Sequence, residues 1–347
     1  MKILVSALEH SANVHLKSLK KELADDVEFV GIFSNELGNP IVDLSALAIM
    51  GIVDALKKLR FFFKLKDEMV ELAKDVDKVL LIDSSGFNLP LAKALKKRYP
   101  NKEIIYYILP QAWAWKKKRI PVLARTIDTL ASILPFEPSY YPSDANITYV
   151  GHPLLDQITE FKTSLNDKVK KIVFMPGSRK GEITRLMPIF REVRKKLGVN
   201  GILIIPTNFS QEKIDALYGD ISEFEVVHET YNTLLDADFA FICSGTATLE
   251  ASIIGTPLVL SYIANKIDWF IVSRLATTKY AGLANIMYDK HKGKTMHPEF
   301  LQDAVTAQNL IDAYNNYNRD SFLKDSKELR AYLQHGSSKN VADLIMK

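Results

Sequence analysis

Short apolar runs recur along this chain at intervals filled by helical patterns, and that alternation leaves few folds open. Ile3 to Ala7, Val27 to Phe33, Lys78 to Ile82, Glu103 to Ile108 and Thr129 to Ile133 are the first five. Such runs read as buried strands, and strands separated by helices make a parallel sheet covered on both faces. After Gly151-His152-Pro153, the polar segment from Phe161 to Lys170 reads as a linker. The alternation then restarts with Lys171 to Phe174, Gly201 to Ile205, Glu225 to Val227, Phe239 to Ile242 and Leu258 to Leu260. The expected class is α/β, with two Rossmann-like doubly wound domains, residues 1–160 and 161–320, facing a cleft. Ligands are expected at the carboxyl ends of the strands.

Composition narrows the partners. The 347 residues are 47% hydrophobic and 25% charged, with 45 Lys and Arg against 41 acidic residues. A net charge of +4 is weaker and less clustered than a nucleic-acid binder usually shows, so no nucleic acid is expected. The single cysteine, Cys243, excludes an internal disulfide and points to a reducing cytoplasm. The chain starts directly with a strand, so no signal peptide is expected. The apolar window Thr246 to Ala264 is broken by Glu250, Gly255 and Pro257, so membrane contact is expected to be peripheral.

Two junctions carry the phosphate-type chemistry. Phe174-Met175-Pro176-Gly177-Ser178-Arg179-Lys180-Gly181-Glu182 runs from strand through a glycine turn into a helix with an apolar stripe at Ile183, Leu186, Met187, Phe190, Val193 and Leu197. A helix start aims backbone N–H groups and the positive dipole end at one point, and Arg179 adds a forked donor. A plain turn with a solvated arginine fits the same residues. Ile242-Cys243-Ser244-Gly245-Thr246-Ala247-Thr248-Leu249-Glu250 repeats the arrangement, with Glu250 placed to accept hydrogen bonds from a ribose diol. Neither stretch matches the dinucleotide or P-loop fingerprint.

The first half adds loops of other kinds. Glu9, Ser11 and Asn13 follow the first strand, where Ser11 or Asn13 serves equally as a helix cap or a ligand contact. Asp83 ends the third strand ahead of Ser84-Ser85-Gly86-Phe87-Asn88, as a base in the cleft or as a cap. Phe61, Phe62 and Phe63 cannot all face one core from one helix. With Lys57, Lys58, Arg60, Lys64 and Lys66 around them they suit an anionic lipid surface or an acyl chain, or else two of them are core and one is exposed. Trp113-Ala114-Trp115 precedes Lys116-Lys117-Lys118-Arg119, a combination suited to stacking on a sugar or base or to a membrane interface.

Taken together, these residues resemble the lipid-A-disaccharide synthase family. The segments that carry the resemblance are Met50-Gly51-Ile52-Val53, Ile82-Asp83 with Phe87-Asn88, Trp113-Ala114-Trp115 and Leu134-Pro135-Phe136-Glu137. Gly151-His152-Pro153-Leu154-Leu155-Asp156, Pro176-Gly177-Ser178-Arg179 with Glu182, and Ser244-Gly245-Thr246-Ala247 with Leu249-Glu250 complete it. The resemblance implies a GT-B fold and an inverting, metal-independent transfer of 2,3-diacylglucosamine from UDP to 2,3-diacylglucosamine 1-phosphate (lipid X). The products would be a β-1,6 disaccharide and UDP. It implies no cofactor, the UDP-sugar being a substrate, and a peripheral place on the inner face of the inner membrane, and it leaves a homodimer open. By position it makes Asp83 the general base and Arg179 the essential arginine, on the UDP diphosphate or the acceptor phosphate. Gly177, Ser178, Glu182, Ser244, Gly245, Thr246, Glu250 and Asn285 fall on the donor side, while Glu9, Ser11, Asn88 and Trp115 fall on the first-domain loops. Phe61, Phe62 and Phe63 would meet acyl chains. Glu299 and Gln302 resemble a later polar pair more weakly. GT-B chains often end in a helix that returns to the first domain, and residues 321–347 are the candidate.

Three departures bear on the acceptor loop. The family's Gly-Glu-Ala-Ser-Gly-Asp is Leu8-Glu9-His10-Ser11-Ala12-Asn13 here, Gly86 replaces a second carboxylate, and Leu283-Ala284-Asn285 replaces Leu-Pro-Asn. The Asp-x-Asp pairs at Asp75 and Asp236 precede their strands, away from the edge where a catalytic metal would sit. The rival readings are another UDP-sugar enzyme on the same scaffold, such as an epimerase or a different lipid glycosyltransferase, and a non-catalytic UDP-sugar sensor.

Overall fold

The structure is a computed structural model that describes residues 1–43, 55–265, 269 and 278–347; the side chains of residues 55–58 and 115 also fall outside that description. The chain divides into two compact units, residues 1–156 with 334–347, and residues 157–333. Each is built on a parallel six-stranded sheet.

In the first unit the strands are β1 (Lys2–Ser6), β2 (Glu28–Ile32), β3 (Lys78–Ile82), β4 (Glu103–Tyr107), β5 (Thr129–Ser132) and β6 (Ile147–Tyr149), in the order β2-β1-β3-β4-β5-β6. The order reverses between β1 and β3, so the loops leaving those two strands flank the crevice where such sheets bind ligands. Helices α1 (His10–Lys20), α2 (Ala55–Leu72) and α3 (Ser85–Arg98) start from or return to this edge. In the second unit β7 (Lys171–Met175), β8 (Asn200–Ile204), β9 (Phe224–Val227), β10 (Phe239–Cys243), β11 (Leu258–Tyr262) and β12 (Glu299–Leu301) run in the order β12-β11-β10-β7-β8-β9. The reversal lies between β7 and β10, the strands that feed the two glycine junctions. Their helices are α4 (Lys180–Leu197) and α5 (Thr246–Ile254). Strands β6 and β12 carry no sequence signal of their own: each has three residues, none fully buried, too short to show a period.

The C-terminal segment differs from a single helix spanning 321–347. Helix α6 (Arg319–Leu333) belongs to the second unit, and only residues 334–347, with α7 (Ser337–Met346), belong to the first. Helix α7 places Val341, Ala342 and Ile345 among Ile3, Val5, Leu16 and Leu19 of the first unit's core. The Gly151-to-Asp156 motif is what holds it. The Asp156 carboxylate accepts the Gly336 and Ser338 backbone N–H groups at 2.7 and 2.8 Å, a carboxylate at the start of a helix where the dipole favours it. Gly151 has φ +90, and a Cβ there would lie 3.1 Å from the His335 carbonyl oxygen. The Tyr107 hydroxyl meets Ser337 Oγ at 2.8 Å. Burial holds His152 neutral, pushing its pKa down to about 3 with His15 adding repulsion. This motif is therefore a latch for the chain's end.

Candidate functional site

At the first reversal, Asp83 follows β3 in the left-handed region with φ 51, and Ser84 follows it with φ 43. Two consecutive non-glycine residues there cost about 1–3 kcal/mol each and persist only where surrounding bonds enforce them. Those bonds are present. The Asp83 N–H donates to the Tyr107 carbonyl at 3.1 Å, while its carbonyl accepts the Tyr106 hydroxyl at 2.6 Å and Asn88 Nδ2 at 2.8 Å. Asn88 also donates to the Ile82 carbonyl and accepts Ser6 Oγ at 2.6 Å. The Asp83 carboxyl is raised above its ordinary range by burial, then by the Glu9 carboxylate, with the Ser84 backbone N–H opposing. Ser84 Oγ donates to Glu9 Oε1 at 3.1 Å, joining the two loops of the reversal.

Asp83 is thus not a helix cap, since Ser84 holds the N-cap position and no side chain caps that helix. Asn88, expected at the acceptor or on a first-domain loop, is fully buried in the first turn of α3 with both amide atoms engaged; it shapes the Asp83 turn from beneath. Asn13 is a buried tie as well, donating to the Ala7 and Glu9 carbonyls and accepting the Ser34 N–H at 2.6 Å. Glu9 and Ser11 are exposed at the start of α1.

On α2, Phe61 and Phe62 pack against the first unit's core, Phe62 meeting Phe87 at 5.8 Å between ring centroids. Of the two readings, this is the one with two phenylalanines in the core and one exposed, and it corrects the assignment of Phe61 and Phe62 to acyl chains. Phe63 is the exposed one, at 56%, with Leu59 at 54% beside it and Lys66 Nζ 5.3 Å from the Phe63 ring centroid. Trp113 is buried against Phe136 at 4.9 Å. Trp115 closes a short helix from Ala112, its side chain outside the described residues, as is the Met50-to-Val53 motif.

At the second reversal, a cavity of about 360 Å³ opens between the β7 and β10 loops, within the range of small-ligand pockets. Gly177, Ser178, Arg179 and Glu182 line one side, and Ser244, Gly245 and Thr246 another. Gly177 has φ +98, and a Cβ on it would stand 2.5 Å from Glu182 Oε2 and 3.1 Å from Cys243 Sγ, so only glycine fits. Glu182 is buried and organises the turn. Its Oε2 accepts the Ser178 and Arg179 N–H groups at 3.3 and 3.2 Å, and its Oε1 accepts Arg179 Nη1 at 2.9 Å. The Arg179 side chain is otherwise 81% exposed. This corrects the expectation of free amides at Ser178 and Arg179: a carboxylate three residues into the helix already holds them, as in one half of a capping box.

The β10 loop is the one with donors to spare. Gly245, Thr246 and Ala247 precede the first intrahelical bond of α5, and their N–H groups have no partner among the described residues. Gly245 and Thr246 are exposed, with open space where a Cβ on Gly245 would be. Ser244 Oγ donates to the Ala281 carbonyl at 3.2 Å. Glu250 does not line the cavity; burial, then Glu229, pushes its pKa up to about 7.

Asn285 was expected at the donor and is instead fully buried. Its Oδ1 accepts the Met296 and His297 N–H groups, and Nδ2 donates to the His297 carbonyl and to Glu299 Oε1 at 2.7 Å. Glu299 in turn accepts the Ala281 and Gly282 N–H groups at 2.7 and 3.0 Å. Together they hold the segment that Ser244 touches. Gln302 sits just past β12 with φ 55. The residue not found by sequence is His228, which lines the cavity from the end of β9. Its Nδ1 lies 2.9 Å from the Ile205 carbonyl, an acceptor only, so Nδ1 carries the proton. Its position at a strand's carboxyl end was the available signal.

Solved structures share this architecture. A crystal structure of MurG from Acinetobacter baumannii aligns with a TM-score of 0.62 at 16% identity, covering 99% of both chains. A structure of UDP-GlcNAc 2-epimerase from Neisseria meningitidis bound to UDP-GlcNAc aligns at 0.63 and 12%, covering 100% of both. At such identity they show the fold, two doubly wound units of the GT-B type, and with the homologues that follow the chain is a glycosyltransferase. Residues 3–345 match the model of the lipid-A-disaccharide synthetase family. Lipid-A-disaccharide synthases of Helicobacter pylori strain G27 and Campylobacter jejuni strain RM1221 are each 46% identical to it, over 98% and 99% of this chain and 97% and 98% of theirs. The chain belongs to the lipid-A-disaccharide synthase family.

Proposed function

We propose that this enzyme transfers 2,3-diacylglucosamine from its UDP donor to the 6-hydroxyl of 2,3-diacylglucosamine 1-phosphate. Asp83 takes the hydroxyl proton as that oxygen attacks the anomeric carbon from the face opposite UDP. The bond to the diphosphate breaks, and UDP leaves with the electron pair. One displacement inverts the centre and gives the β-1,6 link. The observation that carries this reading is the strained Asp83 turn, with a carboxyl raised toward the range in which a base works well near neutral pH.

The donor falls to the second unit. The amides of Gly245, Thr246 and Ala247 meet phosphate oxygens, and Arg179 offsets charge developing on the leaving group. Glu250 accepts from the ribose. Leu59 and Phe63, with Arg60 and Lys64 close in sequence, support contact with an anionic membrane surface on its cytoplasmic side. Among the described residues, no helix is long and apolar enough to cross a membrane. The test is UDP release from the acylated donor, expected only with the phosphorylated acceptor and unchanged by EDTA. Epimerised product from UDP-GlcNAc alone would end the reading.

A further inference from the structure

Arg119 lies in the turn Lys117–Arg119 past the end of β4, one strand over from Asp83. It is half-buried, whereas Lys116, Lys117 and Lys118 are exposed. Its Nη1 donates to Ser85 Oγ at 3.2 Å, two residues past Asp83. The Tyr106 hydroxyl, whose ionisation burial suppresses, also lies close enough to Arg119 to feel its charge, and that hydroxyl is the one bonded to the Asp83 carbonyl. Arg119 therefore bonds to the helix start that follows Asp83 and lies near the hydroxyl that holds the Asp83 carbonyl. Among the described residues, no carboxylate pairs with Arg119: the first unit's cations in ion pairs are the N-terminus, Lys2, Lys17, Lys64, Lys66, Lys78, Lys96 and Lys339. A guanidinium withdrawn from water without a counter-ion is costly. It retains most of a planar fork of donors whose geometry matches phosphate oxygens.

We propose that Arg119 binds the phosphate monoester of the acceptor sugar, fixing the sugar so that its hydroxyl meets Asp83. This rests on the synthase reading, in which nucleophile and phosphate are carried on one ring. A group that holds the phosphate beside the base sets which hydroxyl is presented. The assignment leaves Arg179 for the UDP diphosphate, the other phosphate of the reaction.

The experiment compares two acceptors, diacylglucosamine with and without its 1-phosphate, in wild type, Arg119→Ala and Arg119→Lys. Wild type is expected to favour the phosphorylated acceptor. Arg119→Ala should raise KM for that acceptor by about tenfold or more, with a smaller change in kcat, closing the gap between the two acceptors. Arg119→Lys, which keeps the charge and loses the fork, should fall between. Equal losses with both acceptors would mean Arg119 only supports the Asp83 turn, and would overturn the proposal. So would an unchanged KM in Arg119→Ala, or a wild type indifferent to the phosphate. Wild type transferring to neither acceptor, while still binding UDP, would remove the synthase reading itself.

Discussion

The two topological reversals solve the same geometric problem with opposite residues. After β7 the chain turns through Gly177 at φ +98, where a side chain would collide with Glu182 and Cys243. After β3 it turns through Asp83 and Ser84 at φ 51 and 43, where glycine would have been the unstrained choice. Glycine serves where backbone must pass close to other groups. A strained aspartate is retained where its side chain has a task that glycine cannot perform. The contrast separates a turn closed by packing, whose amides Glu182 already holds, from one whose strained residue carries the carboxylate proposed as the base.

The largest expected effect strikes the second kind of turn. Asp83→Asn should lower kcat by about 10²–10⁴-fold while UDP affinity, measured by calorimetry, stays near wild type. Equal losses in both would erase the division of labour. Next, Gly177→Ala should destabilise the second unit by about 1–3 kcal/mol and weaken UDP binding, read by denaturant unfolding with and without UDP. Asp83→Gly should move the other way, gaining about 1 kcal/mol by relieving the left-handed residue while abolishing transfer. A destabilised Asp83→Gly would show that the turn is held by the carboxylate instead of strained by it.

The smallest effects are in pH dependence. Asp83 binds its proton more tightly folded than unfolded, so its contribution to stability declines as pH climbs from the ordinary carboxyl value through the raised one. The acidic limb of kcat/KM should lie above the usual aspartate range, and Glu9→Gln should shift it down by less than about one pH unit by removing a like charge. Glu250, at about 7 in the fold, loses stability over the span between its ordinary value and that point. Ionised, it would accept from both ribose hydroxyls and more strongly than the acid does, so UDP affinity should improve as pH passes about 7, and Glu250→Gln should flatten that profile.

Much of this was legible in the sequence because the signals were periodic or punctuating. The ten apolar runs coincide with strands to within a residue or two at each end, and Gly177 and Gly245 mark real turns. What escaped was anything decided by a partner far along the chain. The buried roles of Asn88 and Asn285 depend on carbonyls and amides that no local pattern announces. Glu182 was visible, but its grip on the Ser178 and Arg179 amides was not, since a carboxylate at that spacing suits a ligand equally well. Phe61 and Phe62 resolved into core by tertiary contact with Phe87 and its neighbours.

The latch at Asp156 has a consequence for synthesis. Because α7 completes the core around Leu16 and Leu19, the first unit's sheet stays open along that flank until Ser337–Met346 has been translated. The inner unit is contiguous from 157 to 333 and possesses its last strand once Leu301 has left the ribosome. The middle of the polypeptide can therefore finish folding before its beginning does. A stop after Leu333 would release a chain whose second unit is whole and whose first unit is left with an uncovered apolar face.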